Sequence, residues 1–409
     1  MGGVEAAVAL ALFVQLCGLV CAFGAFSFAA LILAHAALGE GVRASLAARL
    51  VWIARASLLL ALIGALSRLS LQAVAIGAAG GVGEIPVAVT DLVRFSRFGR
   101  GIAGEGVLLA VALFTRGRAG AALTGLALVL LAGSGHAAAM PGWRGEILWG
   151  VASLHVLAAS FWLGGIVPLW LLLGRLEAKA AVAPVARFSA LAIGAVIVLA
   201  LSAATEGGVL VGSIAALPGS LYGRVILAKL LLFLTLIGYG ARNRAVLLPA
   251  LAGAEGWVAL ATLRQSLSRA WLFALAVLLA ASFLASLAPP FAASGGEGSE
   301  QAAACHVFAG APFRMPLHAD REMTGLCHPH PFDRAIGGNG FDREPGRWAV
   351  DRLLMHGVHH DLGRADDLGE LAGKPHRMAR GIARLAFRLM AEMDEALGRI
   401  TQPLDQAAT

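Results

Sequence analysis

The sequence predicts an all-α fold, a polytopic membrane helix bundle of about eight transmembrane helices with a polar C-terminal tail. Three observations predict it. The chain is 58% hydrophobic and only 14% charged, whereas an ordinary soluble domain carries about a quarter charged residues. The shortage is concentrated, because long stretches hold no charge at all, and a run of about 20 apolar residues crosses a bilayer as a helix. Finally, composition changes abruptly past PPFAASGGEGSE at 289–300, a Pro/Gly/Ser-rich stretch of linker character.

The apolar runs lie at 6–37, 49–67, 101–115, 119–140, 146–173, 188–208, 222–241 and 269–288. The first follows MGGVEAAVAL, which lacks a basic n-region, and is too long for the core of a signal peptide, so it reads as a retained span. The third is short and carries Glu105. The segment 68–100, with IPVAVTDLVRF, is less apolar and reads as an interfacial excursion. No repeat at a solenoid period is evident. The division is thus a membrane domain at 1–288, a linker at 289–301 and a polar, His-rich extension at 302–409, which holds eight of the eleven histidines. Its end, HRMARGIARLAFRLMAEMDEALGRI, has apolar residues at helical spacing and predicts an amphipathic helix. The middle, with FDRAIGGNGFDREPGRW, predicts irregular backbone.

The net charge of +7 divides unevenly, +10 over residues 1–288 and −3 over 289–409. The basic excess lies in short loops, which argues against a nucleic-acid partner and for membrane orientation. Loops after odd-numbered runs hold Arg43 and Arg49, Arg116 and Arg118, Arg175, Lys179 and Arg187, then Arg242, Arg244, Arg264 and Arg269. The short even loops hold Arg144 and Arg224. The positive-inside rule then puts both termini outside the cytoplasm. Arg94, Arg97 and Arg100 oppose this, but longer loops translocate with less regard to charge. No Walker loop, dinucleotide fingerprint or HExxH occurs, and no enzyme is expected.

Chemistry concentrates at ionisable and soft side chains inside the runs. LHVLAASFWLGG (154–165) places His155 on a helical stripe with Ala159 and Trp162, followed by Gly164 and Gly165. Small residues let helices approach closely in lipid, so His155 is expected to face other helices. It is either a metal-pathway residue or a neutral histidine bonded to a neighbouring helix. His136 and Met140, in GSGHAAAMPGW, share a helix face near the outer end of the fourth run. Imidazole suits Cu(II) and thioether suits Cu(I); taken alone, Met140 reads as a packing residue. Cys17 and Cys21 are four apart in the first run. They are either soft Cu(I) ligands or buried small hydrophobes. His35 closes that run at an interface. Glu206 and Lys229 are expected to pair, since each alone is costly in hydrocarbon, unless Lys229 snorkels. In the tail, CHVFAGAPFRMPLHADREMTGLCHPH supplies Cys305, His306, Met315, His318, Met323, Cys327, His328 and His330. These are metal candidates, and outside the cytoplasm Cys305 and Cys327 alternatively form a disulfide.

Several stretches carry a family likeness: LHVLAASFWLGGIVPLWLLL (154–173), RFSALAIGAVIVLALSA (187–203) and YGRVILAKLLLFLTLIGYGARNR (222–244), with RFGR (97–100) and SGHA (134–137) in support. In these the chain resembles the copper resistance protein D family of bacterial integral membrane proteins. The resemblance implies eight helices in the inner membrane, copper ions as cargo for uptake or tolerance, and a periplasmic copper-binding protein as partner. It carries over His155, Trp162, Gly164 and Gly165, then Tyr222, Arg224 and Lys229, and also His136. The chain departs from the family pattern at Gly104 and Glu105 and in its whole tail. Two other classes fit the same residues: a b-type haem electron carrier ligated by His136 and His155, and a non-transporting membrane partner whose tail senses metal.

Overall fold

The computed structural model describes residues 3–79, 81–135, 142–210 and 214–287. Its helices are α1 (Gly3–Leu31), α2 (Glu40–Ala75), α3 (Ile85–Phe95), α4 (Arg97–Ala112), α5 (Gly117–Ala132), α6 (Trp143–Gly164), α7 (Ile166–Leu173), α8 (Ala178–Leu210), α9 (Leu221–Arg242), α10 (Leu248–Ala250) and α11 (Gly256–Ala285). Among the described residues there is no strand. Apolar residues on all sides of these helices, with large side chains such as Trp52, Ile63, Leu201 and Leu231 facing outward, are what a bundle surrounded by lipid presents.

Among the described residues, six stretches are long and apolar enough to cross a membrane: Gly3–His35, Glu40–Ala75, Trp143–Leu173, Ala178–Val209, Leu221–Ala250 and Gly256–Ala285. The expected third and fourth spans, 101–115 and 119–140, are α4 and α5, of 16 residues each. At 1.5 Å per residue that is about 24 Å, short of the ~30 Å hydrocarbon thickness. The runs at 49–67, 188–208 and 269–288 prove to be the apolar parts of longer helices that extend past the charged residues flanking them. The expected excursion at 68–100 begins as the last turns of α2, and its remainder is the short α3 and the start of α4.

Contacts give the helix directions. Gly18 lies against Ser57 and Ala61, and Gln15 against Gly64, so α1 and α2 are antiparallel. Gly120 meets Phe26 and Gly125 meets Phe23, which makes α5 antiparallel to α1. Trp149 Nε1 donates to the Val129 carbonyl (2.9 Å), and Leu157 reaches Gly125, so α6 is antiparallel to α5 and parallel to α1. The contacts Phe161–Phe188 and His155–Ser202 set α8 antiparallel to α6.

These directions expose a repeat that spans half the bundle. Helices α1, α2, α4 and α5 recur as α6, α8, α9 and α11. The packing partners recur too: α1 on α2 as α6 on α8, α4 on α5 as α9 on α11, and α1 on α11 as α6 on α5. Residue spacings coincide. Gln15 precedes Gly24 by nine residues and His155 precedes Gly164 by nine. Gly64 precedes Arg68 by four, and Ser202 precedes Glu206 by four. SRFGR (96–100) opens α4 and SLYGR (220–224) opens α9. In both, the serine caps the helix by accepting from the glycine N–H, Gly99 to Ser96 Oγ at 2.8 Å and Gly223 to Ser220 Oγ at 3.0 Å. In both, the glycine is required because a Cβ would strike a carbonyl of the preceding segment, that of Leu92 or of Leu217.

The halves meet where α1 and α6 cross, and the residues in contact are the equivalent pair, Gly24 on Gly164. Since α1 and α6 are parallel, the operation relating the halves is an approximate two-fold rotation along the bundle. The absence of side chains at both glycines is what allows the backbones to touch, as close helix approach in lipid requires. The repeat is not perfect. In the first half α2 packs on α4, but α9 makes no comparable contact with α8. A cavity of about 70 Å³ remains there, lined by Trp162, Phe188, Leu236, Tyr239, Asn243 and Arg244 among others.

Candidate functional site

The site builds up from His155, twelve residues into α6. Its Nδ1 lies 2.8 Å from the Ser202 hydroxyl on α8. Ser202 Oγ in turn lies 3.1 Å from the Leu199 carbonyl. A carbonyl only accepts, so both bonds form together only when the single hydroxyl proton of Ser202 goes to Leu199 and Ser202 accepts from Nδ1–H. That assignment fixes the tautomer and leaves Nε2 with a free lone pair, the arrangement by which a second partner prepares a histidine to ligate a metal. Nε2 has no hydrogen-bond partner among the described residues.

One turn beyond Ser202 on α8 stands Glu206, and from α9 comes Lys229. Lys229 interacts electrostatically with both Glu206 and His155, and Glu206 with Tyr222. Glu206 Oε1 is buried and has no hydrogen-bond partner among the described residues. Glu206 on α8 and Lys229 on α9 thus lie within electrostatic range of each other. It matters for any cation at His155, because an uncompensated ammonium beside the ring would repel it and the carboxylate offsets that charge.

Two turns further along α6, Trp162 is buried and meets Phe233 of α9 edge-on, with ring centroids 6.0 Å apart at 90°. Phe233 is the contact that ties α9 to α6 across the seam, and the cavity begins at Trp162 and runs on to Asn243 and Arg244. There the helix widens into a π-turn, Asn243–Leu247. Asn243 Oδ1 accepts from Ser266 (2.6 Å) and Arg244 donates to Ser189 (3.1 Å), closing that end. Gly164 and Gly165 are packing residues: the first seats α6 on α1, and the second gives room to the Phe188 ring. Arg224 is exposed at the start of α9, and Tyr222 beside it is buried.

Cys17 and Cys21 are free thiols one turn apart on α1, both half-buried. Cys17 packs against the core formed by α6, α7, α8 and α11. Among the described residues, no three His, Cys, Asp or Glu side chains stand close enough together to hold a metal ion. His136 and Met140 lie outside the described residues, as do Cys305, His306, Met315, His318, Met323, Cys327, His328 and His330.

One group of polar residues was not expected from the sequence. Gln15, Arg68 and Glu105 are buried together between α1, α2 and α4. Gln15 Nε2 donates to Glu105 Oε1 at 2.7 Å. Arg68 donates to Ser134 Oγ at 3.1 Å and stacks over Phe98 at 5.0 Å. By the repeat, Gln15 takes the place of His155, Arg68 that of Glu206, and Glu105 that of Lys229. The signal was present in the chain, since two of these are opposite charges inside apolar stretches.

Two family models match the chain. One, described as copper resistance protein D-like, N-terminal domain, covers residues 4–146, and the other, copper resistance protein D, covers 182–284. The chain belongs to the copper resistance protein D family. No curated protein and no solved structure matches it. As a member, it is a multi-pass copper resistance membrane protein. The two matches fall on the two halves of the repeat. RFGR and SGHA lie in the first match, and RFSALAIG and YGRVILAK in the second. Residues 147–181 lie between them, so the roles of His155, Trp162, Gly164 and Gly165 rest on the geometry above.

Proposed function

We propose that this copper resistance protein carries copper ions through the bacterial inner membrane along the seam between α6, α8 and α9, with His155 as the ligand inside the bundle. The single observation that supports this most is the hydrogen-bond chain from His155 through Ser202 to Leu199, which turns Nε2 into an open ligand. Copper is the cargo. His136 and Met140, in the segment between α5 and α6, complete the coordination of the ion near the entrance and hand it to His155. Cys17 and Cys21 offer soft sulfur on the neighbouring helix α1. Below His155 the ion passes Trp162 and enters the cavity that ends at Asn243 and Arg244.

In this reading all eight long helices cross the bilayer, with α4 and α5 doing so beside longer neighbours. Both termini face the periplasm, where a copper-binding protein delivers the ion, and the protein catalyses no covalent reaction. The extension at 302–409, with its Cys and His residues, is an accessory to transport. The test is copper accumulation in cells producing His155→Ala and His136→Ala at wild-type protein levels. Transport along this route requires a loss of at least tenfold in uptake or tolerance for each; unchanged accumulation in both removes the route.

A further inference from the structure

The first-half cluster holds three buried polar atoms without hydrogen-bond partners among the described residues: Gln15 Oε1, Glu105 Oε2 and Arg68 Nη1. Gln15 and Glu105 have no exposed surface, and Arg68 has 8%. Leaving such atoms unmet in a helical membrane bundle is expensive, and ionisable groups placed this way mark ion and proton paths. The pattern of the unmet atoms is informative. Two of them are acceptors on the two members of one hydrogen-bonded pair, Gln15 Nε2–H donating to Glu105 Oε1. An amide and a carboxylic acid close a ring of two hydrogen bonds, and the second bond needs a proton on the carboxyl. A single proton on Glu105 Oε2, donated to Gln15 Oε1, satisfies both acceptors together. The third unmet atom is a donor, Arg68 Nη1, and it requires what the ionised carboxylate supplies.

We infer that Glu105 is a proton-carrying carboxyl with two partners: Gln15 while it holds the proton, and Arg68 once it has released it. In the first state the acid–amide ring uses Gln15 Oε1 and Glu105 Oε2. In the second, the Oε2–H bond breaks, the proton leaves to water, and Oε2 accepts from Arg68 Nη1. Each unmet atom is used by one state or the other. Arg68 stays cationic in both, held by Ser134 and by the Phe98 ring. Ser134 is half-buried at the end of α5, next to exposed Gly135, and links the cluster to that end of the bundle. The groups facing Glu105 are Gln15 from α1 and Arg68 from α2, with Ser134 behind Arg68 from α5; no other titratable group among the described residues acts on it.

The repeat gives this site its meaning. It occupies in the first half the place that His155, Glu206 and Lys229 occupy in the second, and the α1–α6 crossing joins the two. Secondary transporters are commonly built from repeated halves, with the substrate and coupling-ion sites near the interface between them. Resting on the copper-transport reading above, a proton bound at Glu105 is the ion whose gradient drives copper through the second half.

The experiment uses the full chain in lipid nanodiscs and vesicles. Infrared difference spectra between acid and alkaline buffer are expected to show the C=O band of one buried carboxylic acid. That band vanishes in Glu105→Gln and shifts in Gln15→Leu, which removes the amide. No such band in wild type, or a band that survives Glu105→Gln, overturns the proton site. Glutamine also pairs with Gln15, so Glu105→Gln should keep its thermal midpoint within about 2 °C of wild type. A large drop or failure to fold shows an obligatory carboxylate fixed to Arg68 and overturns the two-state arrangement; Gln15→Leu then still decides whether the band belongs to this pair. In vesicles, copper flux should follow an imposed pH gradient in wild type, and in Glu105→Gln it should lose at least tenfold of that dependence. Copper flux indifferent to the gradient overturns the coupling. If wild type moves no copper, the transport reading fails, and the infrared band alone decides the proton site.

Discussion

Substituting Gly164 by alanine should destabilise this protein, although alanine is the better helix former. The new Cβ would run into the Val20 carbonyl and press on Gly24, both backbone atoms of α1. Backbone cannot move aside as a side-chain tip does, so the two helices must separate. Overpacking of this kind costs about 1–3 kcal/mol, and because Gly164 is the last residue of α6 it recovers at most part of the roughly 0.5–1 kcal/mol gained by replacing a mid-helix glycine. The net is a loss of up to about 3 kcal/mol. Gly238, in the middle of α9, is the control, since a Cβ there meets nothing within 4 Å. Gly238→Ala should show only the gain. The same chemical change therefore has opposite signs at two positions, separated by at least the overpacking cost of about 1–3 kcal/mol. Thermal unfolding of the full-length variants in one detergent measures the difference. Gly24→Ala should behave like Gly164→Ala, and the double variant should cost less than the two singles together, because the first separation already makes room for the second. If Gly164→Ala proves as stable as Gly238→Ala, the backbone contact at the crossing does not exist, and the two-fold relation between the halves loses its axis.

Other expectations are independent of that contact. Trp162→Ala removes the edge-on contact with Phe233 and should cost about 3–5 kcal/mol, with copper uptake reduced in the same cells; wild-type stability would show that α9 is held elsewhere. A double-mutant cycle on Lys229→Met and Glu206→Gln should return a coupling of about 0.5–3 kcal/mol, the double variant being more stable than Lys229→Met alone, and zero coupling would show that the two charges act separately. Deleting residues 295–409 should leave copper accumulation intact, whereas abolished accumulation at equal protein levels would make the tail part of the route rather than an accessory.

The helices were legible in the sequence because hydrocarbon demands long apolar runs, and the runs at 6–37, 146–173 and 222–241 coincide closely with α1, α6 with α7, and α9. Helix ends were less legible. Once the apolar part is set, α2 and α8 continue through Arg43 and Arg49 or Lys179 and Arg187 because helical backbone bonds persist into the interface, where charge is tolerated. His155 was recognisable as a ring that must face other helices, but its partner Ser202 was not, since 47 residues separate them. Glu206 and Lys229 were recognisable as a pair because isolated charges are costly there. The same reasoning applied to Arg68 and Glu105 would have found the first-half cluster, since both are charges within otherwise apolar stretches. The repeat escaped notice because its period is half the membrane domain and few identities survive in it. SRFGR and SLYGR are the clearest, and the rest is spacing that only the contacts make visible.

Copper binding to the purified full-length protein tests the central claim most directly. Affinity measured by competition with a chelator should fall at least tenfold in His155→Ala. Ser202→Ala, which removes the tautomer-setting partner but keeps the imidazole, should fall less and at the same thermal stability as His155→Ala or better. Equal affinity in wild type and His155→Ala would mean that the open nitrogen on α6 does not meet the ion.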